Sequence, residues 1–407
     1  MAQEAHGAFY DLLAVRGVSR RDFLKYCSYV AATLGLSEAA APQIAAALEK
    51  GSALKPALWL NGGSCTGCTE SMAQVDSPDV ATIVLELLSL NYFETIMAAA
   101  GEQAEKNIED TIADGNFLLI YEGSVMTGED GNTLLVNGKK GTEILAEAAA
   151  AAQAVISVGA CAVDGGWVAA HPNPAGAVGV QAFLDKEKIA TPVVNIPCCP
   201  MNPEWVVAMV VQWLLVADDD PALFLEKTAL LTKSYTDGVY GAKVTLNYPE
   251  YVVGSTIHDN CPRRGHFENG EFVTEFGSEE EAMGYCLYKV GCKGPQTFTQ
   301  CPVTRWNRSV SWCVNSGAPC IGCGGLNWVD NNAPFFKRLS SMQFGDTLGL
   351  GNVQPGSVAA VVGGVAAAAL VAHGLGMKAA GRVGDGPPME EMKAYDRKHG
   401  AKKGGDK

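Results

Sequence analysis

Residues 58–71 read LWLNGGSCTGCTES. An apolar run ends at Gly62-Gly63, two cysteines follow at Cys65 and Cys68, and the chain then turns polar. A buried strand that stops in a glycine turn carrying thiols gives a rigid sheet with its chemistry at one end. Taken alone, the two cysteines fit a redox dithiol, half of a zinc site or half of an iron–sulfur site. The flanking sequence sets the fold. After ALWLNGG (57–63), further strands are predicted at TIVLELL (82–88), NFLLIYEG (116–123), AVISVGAC (154–161) and TPVVNIPCC (191–199). Helical patterns at 95–113, 142–152 and 203–217 separate them. Near-continuous apolar strands alternating with helices imply a parallel sheet covered on both faces, most simply the doubly wound, flavodoxin-like arrangement.

In an open parallel sheet, ligands sit beyond the carboxyl ends of the strands. Cys65 and Cys68 follow the first strand, Cys161 ends another, and Cys198-Cys199 end a third. One four-thiolate site at the sheet edge follows, built from Cys65, Cys68, Cys161 and one of Cys198 or Cys199. A redox dithiol would account for the first pair only.

The composition is that of a globular chain: 407 residues, 48% hydrophobic and 18% charged. The formal net charge of −14 argues against nucleic acid as a partner, because phosphate binding needs a cationic surface. Thirteen cysteines, an odd number, do not form a pure disulfide framework. From about 230 the strand–helix alternation fades into a Gly-, Pro- and Asn-rich region, as in a domain held together by ligation. Two more four-ligand sets appear there: His258, Cys261, Cys286 and Cys292, then Cys301, Cys313, Cys320 and Cys323. Three sets leave over only Cys27 and one of Cys198 and Cys199. Zinc accepts the same ligand types, but a series of redox centres accounts directly for three sites in one chain.

The two ends carry their own signals. SRRDFLKYCSYVAATLGLS sets Arg20 and Arg21 before a mildly apolar run, as in a twin-arginine export signal, with cleavage expected somewhere in 38–50. GSVAAVVGGVAAAALVAHGLGM (356–377) carries no Asp, Glu, Lys or Arg, and about 20 apolar residues suffice to cross a bilayer. The basic flank beyond it implies a C-terminal end facing the cytoplasm, with the body on the periplasmic side. The expected domains are a signal region at 1–50, a flavodoxin-like domain at 51–230, an iron–sulfur domain at 231–345, and a linker, membrane helix and basic tail at 346–407.

RRDFLK, WLNGGSCTGCTES, GACAVDGG, NIPCCPMNPEW, CPRRGHFENGEF, GCKGP and APCIGC together resemble the small subunits of the [NiFe] hydrogenases over nearly the whole chain. The resemblance implies three iron–sulfur clusters in a line, and a nickel-bearing large subunit as partner that holds the catalytic metal; this chain then has no catalytic residue of its own. It implies a proximal [4Fe-4S] cluster on Cys65, Cys68, Cys161 and Cys199. Cys199 is preferred because the family reads Pro-Gly-Cys-Pro there, which puts Cys198 at the glycine position. The distal [4Fe-4S] cluster falls to His258, Cys261, Cys286 and Cys292. The medial cluster takes Cys301, Cys320 and Cys323, and Cys313 as a fourth ligand makes it [4Fe-4S], as in selenium-containing relatives; without Cys313 it is [3Fe-4S]. Gly67 and Gly166 stand where oxygen-tolerant relatives carry extra cysteines, so that mechanism is not implied. Asp164, close after Cys161, is expected in a surface turn, with an approach to the cluster as the alternative. Thr66 and Glu70 are expected in structural roles, with proton movement beside the partner's active site as the alternative. A membrane cytochrome b or another membrane or periplasmic acceptor would take the electrons. The rival readings are an electron-transfer subunit of the respiratory complex I type and a structural zinc protein.

Overall fold

The computed structural model describes residues 54–75, 88–216, 223–338 and 355–379, with single positions elsewhere. Five parallel strands form the central sheet: β1 (Lys55–Asn61), β2 (Leu88–Phe93), β3 (Leu118–Glu122), β4 (Ala154–Val158) and β5 (Val193–Ile196). Their order is β2-β1-β3-β4-β5, the flavodoxin order, with the switch point between β1 and β3. Every residue of β3, β4 and β5 is buried, as expected of strands covered on both faces.

The helices that bear on the site are α1 (Gly67–Met72), α2 (Glu102–Asp114), α3 (Gly141–Ala151), α4 (Gly159–Asp164), α5 (Val180–Glu187) and α6 (Pro203–Leu214). α6 is apolar all round, and only Glu204 on it is not fully buried. Its start is marked by Pro203 at the first helical position and by Asn202, whose side chain accepts from Glu204 N at 3.0 Å.

Two boundaries move from expectation. The described strand at the second position is Leu88–Phe93, and residues 82–87 lie outside the described residues. As an edge strand it is half-exposed at Ser89, Leu90 and Asn91, and such polar positions read as a turn. α2 begins only after Gly101, whose φ of 58° breaks the helical pattern that starts at 95.

After residue 223 a separate two-stranded sheet follows. An antiparallel hairpin of β6 (Leu230–Thr236) and β7 (Lys243–Pro249) lies along β5. Asn195 Nδ2 donates to Asn247 O and Asn247 Nδ2 to Val193 O, both at 3.2 Å. Beyond it, no helix among the described residues of 250–338 exceeds five residues. The apolar core is shared: Val244, Leu246 and Tyr248 of β7 bury with the sheet. The regions expected as domains 51–230 and 231–345 are thus packed as one body, and the chain divides instead into Met1–Arg338 and Leu339–Lys407.

The second unit contains α7 (Pro355–Ala379), which includes the whole run expected to cross a membrane. Among the described residues no helix is long and apolar enough to do so; the side chains of 355–363 lie outside them. The twin-arginine stretch also lies, single positions apart, outside the described residues.

Candidate metal centres

The first donor set grows out of the β1 turn. Gly62 N donates to Glu122 O at 2.7 Å and Gly63 N to Ser124 O at 2.8 Å, folding the turn flat against the end of β3. A Cβ at Gly62 would lie 2.4 Å from Ser124 O, so only glycine fits there. Thr66 takes a left-handed conformation, its hydroxyl donating to Cys65 O at 2.7 Å, and α1 starts at the next residue. Glu122, buried at the end of β3, then accepts four hydrogen bonds: from Cys68 N (3.1 Å), Thr69 N (3.1 Å), Thr69 Oγ1 (2.6 Å) and Trp59 Nε1 (3.2 Å). This carboxylate fixes how Cys68 is presented. Cys161 arrives on α4 directly after β4, and the approach is close: a Cβ at Gly159 would meet Cys68 Sγ at 2.4 Å. Cys199 follows β5. The ionisation of Cys199 is opposed by both Cys161 and Cys65, and that of Cys68 by Cys161 and Cys199, so the four thiols share one locality.

His258, Cys261, Cys286 and Cys292 line a single small cavity with Arg263. Cys301, Cys313, Cys320 and Cys323 line a larger one of about 640 Å³, which reaches to Cys199 and Glu70. The structure therefore brings together each of the three predicted sets, with Cys199 rather than Cys198 nearer the first. Cys198 points elsewhere: it is fully buried, and its sulfur would lie 3.3 Å from a Cβ at Gly324.

The electrostatics suit thiolates that need a cation. Burial is the first cause that raises Cys68, Cys161, Cys286 (to about 11), Cys199 (to about 12) and Cys313 (to about 12) above an ordinary thiol. Neighbouring thiols raise them further. Such groups stay protonated in the bare protein, and metal ligation displaces the protons. The sulfurs are nonetheless prepared as acceptors. Gly322 N donates to Cys320 Sγ and Cys320 N to Cys292 Sγ, both at 3.4 Å.

Two features fit an iron–sulfur group in the larger cavity. Four thiols around a wide cavity suit a group larger than a single ion. Trp312 also lines this cavity, and its buried Nε1–H has no acceptor among the described residues, so a sulfide could receive it.

Asp164 corrects an expectation. It does not sit in a surface turn but is 4% exposed at the end of α4, where it accepts from Asn327 N (2.6 Å) and Gly166 N (3.1 Å). The chain after Cys323 folds back over this end of the sheet and covers it. Glu70 is exposed and lines the large cavity. Sequence reasoning missed Glu122 and Trp167. The signal for Glu122 was a lone carboxylate ending the apolar run FLLIYE. Trp167 follows Gly165-Gly166 closely, eases the ionisation of both Cys161 and Cys199, and packs edge-on against Trp328 at 5.1 Å.

Fold and donor sets together define an α/β protein with three thiol-rich donor sets. Known proteins match it along most of its length. The family defined by the C-terminal part of the NiFe/NiFeSe hydrogenase small subunit matches residues 253–336, and that of the 20 kDa subunit of NADH ubiquinone oxidoreductase matches 65–213. The uptake hydrogenase small subunit of Azotobacter vinelandii is 39% identical over 368 residues, 90% of this chain and 94% of that one. The periplasmic [NiFe] hydrogenase small subunit 1 of Nitratidesulfovibrio vulgaris is 38% identical, covering 80% of this chain and 96% of its own. A [NiFeSe] hydrogenase structure from Desulfovibrio vulgaris Hildenborough superposes with a TM-score of 0.62 at 33% identity, over 70% of this chain and 98% of the other. The chain belongs to the small-subunit family of the [NiFe] hydrogenases.

Proposed function

We propose that this chain is the electron-relay subunit of an exported, membrane-associated [NiFe]-type hydrogenase, paired with a nickel-bearing large subunit. Cys65, Cys68, Cys161 and Cys199 would hold a proximal [4Fe-4S] cluster; Cys301, Cys313, Cys320 and Cys323 a medial one; His258, Cys261, Cys286 and Cys292 a distal one. The clusters would supply one-electron transfer between the partner's metal centre and an outer acceptor.

The observation that carries this reading is the linkage between the three donor sets. Cys199 lines the same cavity as Cys301, Cys313, Cys320 and Cys323, which brings the first set against the second. Cys320 N–H donates to Cys292 Sγ at 3.4 Å, tying the second to the third. Sets in such close succession suit a relay. Charge also changes along the series. The Glu122 carboxylate disfavours negative charge at Cys68, whereas the Arg263 guanidinium eases ionisation of Cys261, Cys286 and Cys292. With a neutral imidazole among the distal donors, this gradient supports electron flow from the proximal towards the distal end. The match of 65–213 to the complex I protein family supports kinship through the flavodoxin-like part. The second and third donor sets, lying in 253–336, favour the hydrogenase reading. A charge-free run of about 20 residues inside α7 supports an anchor, and Arg20-Arg21 supports twin-arginine export to the periplasmic side.

The test is the metal content of the native complex, purified without oxygen through a tag on this chain. About twelve irons from this chain, with nickel arriving on a larger partner, is the expected result. About eleven would leave Cys313 outside the medial set. Zinc without a nickel-bearing partner would overturn the relay.

A further inference from the structure

Cys198 sits beside a ligand in sequence and behind two others in space. Its φ is 87°, a backbone conformation that favours glycine and strains a residue with a Cβ. Its side chain is fully buried, and its backbone is pinned by Ala160 N, which donates to Cys198 O at 2.8 Å. A strained, buried cysteine next to another cysteine calls for a use of its sulfur. That sulfur does not line the medial cavity, which Cys301, Cys313, Cys320 and Cys323 face. It lies behind them, beside the glycine that follows Cys323: a Cβ at Gly324 would stand 3.3 Å from Cys198 Sγ. Thr299, which lines the cavity, holds its Oγ1 3.1 Å from Cys301 Sγ.

We propose that Cys198 is a positioning residue of the medial site: its S–H donates to the ligand sulfur of Cys323 or Cys301 and thereby raises the reduction potential of the group held there. The proposal rests on the reading that these residues bind a cluster. The physical reason is that a hydrogen bond to a coordinated sulfur spreads negative charge away from the cluster, and the reduced form carries more of it. A role as an alternative ligand fits less well, because the thiol stands outside the cavity with ligand sulfurs in front of it.

The experiment compares the native complex with Cys198→Gly, which fits the backbone and removes the donor, and with Cys198→Ser, which keeps a donor. Iron content is measured in each, and the medial potential is followed by a redox titration monitored by electron paramagnetic resonance. The expected result is unchanged iron in both variants, a medial potential shifted downward in Cys198→Gly, and one near wild type in Cys198→Ser. Loss of iron or a change of cluster type in Cys198→Gly would make Cys198 a ligand and overturn the proposal. An unmoved potential with intact clusters would overturn it while leaving the relay reading in place. A wild-type complex with no reducible cluster at this cavity would remove both.

Discussion

Burial lifts the Asp164 carboxyl to a pKa of about 6, against 3.8 for a free side chain, although the amides of Asn327 and Gly166 pull it back down. With the folded value raised, the group's contribution to stability is complete below about pH 4 and is lost as pH rises through about 6. The two-unit shift is worth about 3 kcal/mol between the neutral and the ionised protein. Asp164→Asn, which has no charge to bury, should therefore lose less stability than wild type between about pH 5 and pH 7.5. Thermal unfolding of the complex at both values checks this, and parallel behaviour would refute it. At this scale the sequence was uneven in what it disclosed. Cysteines announce themselves, because a thiol in a short repeat with others has few uses. Trp167 did not, because it comes to act on both Cys161 and Cys199 only after β4 and β5 are side by side. Asp164 read as solvated because the segment that covers it, at Asn327, lies 163 residues away.

Strand ends and the short helices that follow them form the proximal set, and Glu122 is where two such elements meet. It ties the end of β3 to the start of α1 by offering only acceptors to four donors. Glu122→Gln would turn an amide N–H₂ towards at least one of those N–H groups and leave a buried donor unpaired, at a cost of about 1–3 kcal/mol. The expected outcome is a complex that unfolds at lower temperature, with a proximal cluster signal that is broadened or partly lost. A variant with wild-type melting and spectrum would show that the bonds are dispensable. Central strands were legible because burial on both faces leaves a long apolar run, as in β3 and β4. The edge strand β2 was not, since half of it meets solvent. The six-residue α4 was hidden too: it is shorter than two helical turns, and GACAVD has no periodicity to display.

Across the whole molecule, order is sustained in two different ways. The sheet buries full apolar strands, while residues 250–338 have only helical turns of up to five residues around their donor sets. Removing iron from the complex with a chelator should therefore speed hydrogen exchange throughout 250–338 and leave the amides of β3 and β4 protected. Exchange that quickens equally in both regions would contradict this division. The fold class was readable from the alternation of strands and helices, but the fusion of the two expected domains was not, because it depends on β7 docking beside β5 through Asn195 and Asn247. The junctions between neighbouring donor sets carry this further. Cys199 lines the cavity of the second set, and Cys320, itself of that set, donates to a sulfur of the third. A cut that isolates one donor set strips it of part of its surroundings, so the sets are ill suited to being transplanted piecemeal as cassettes, and an engineer wanting one would do best to take all three.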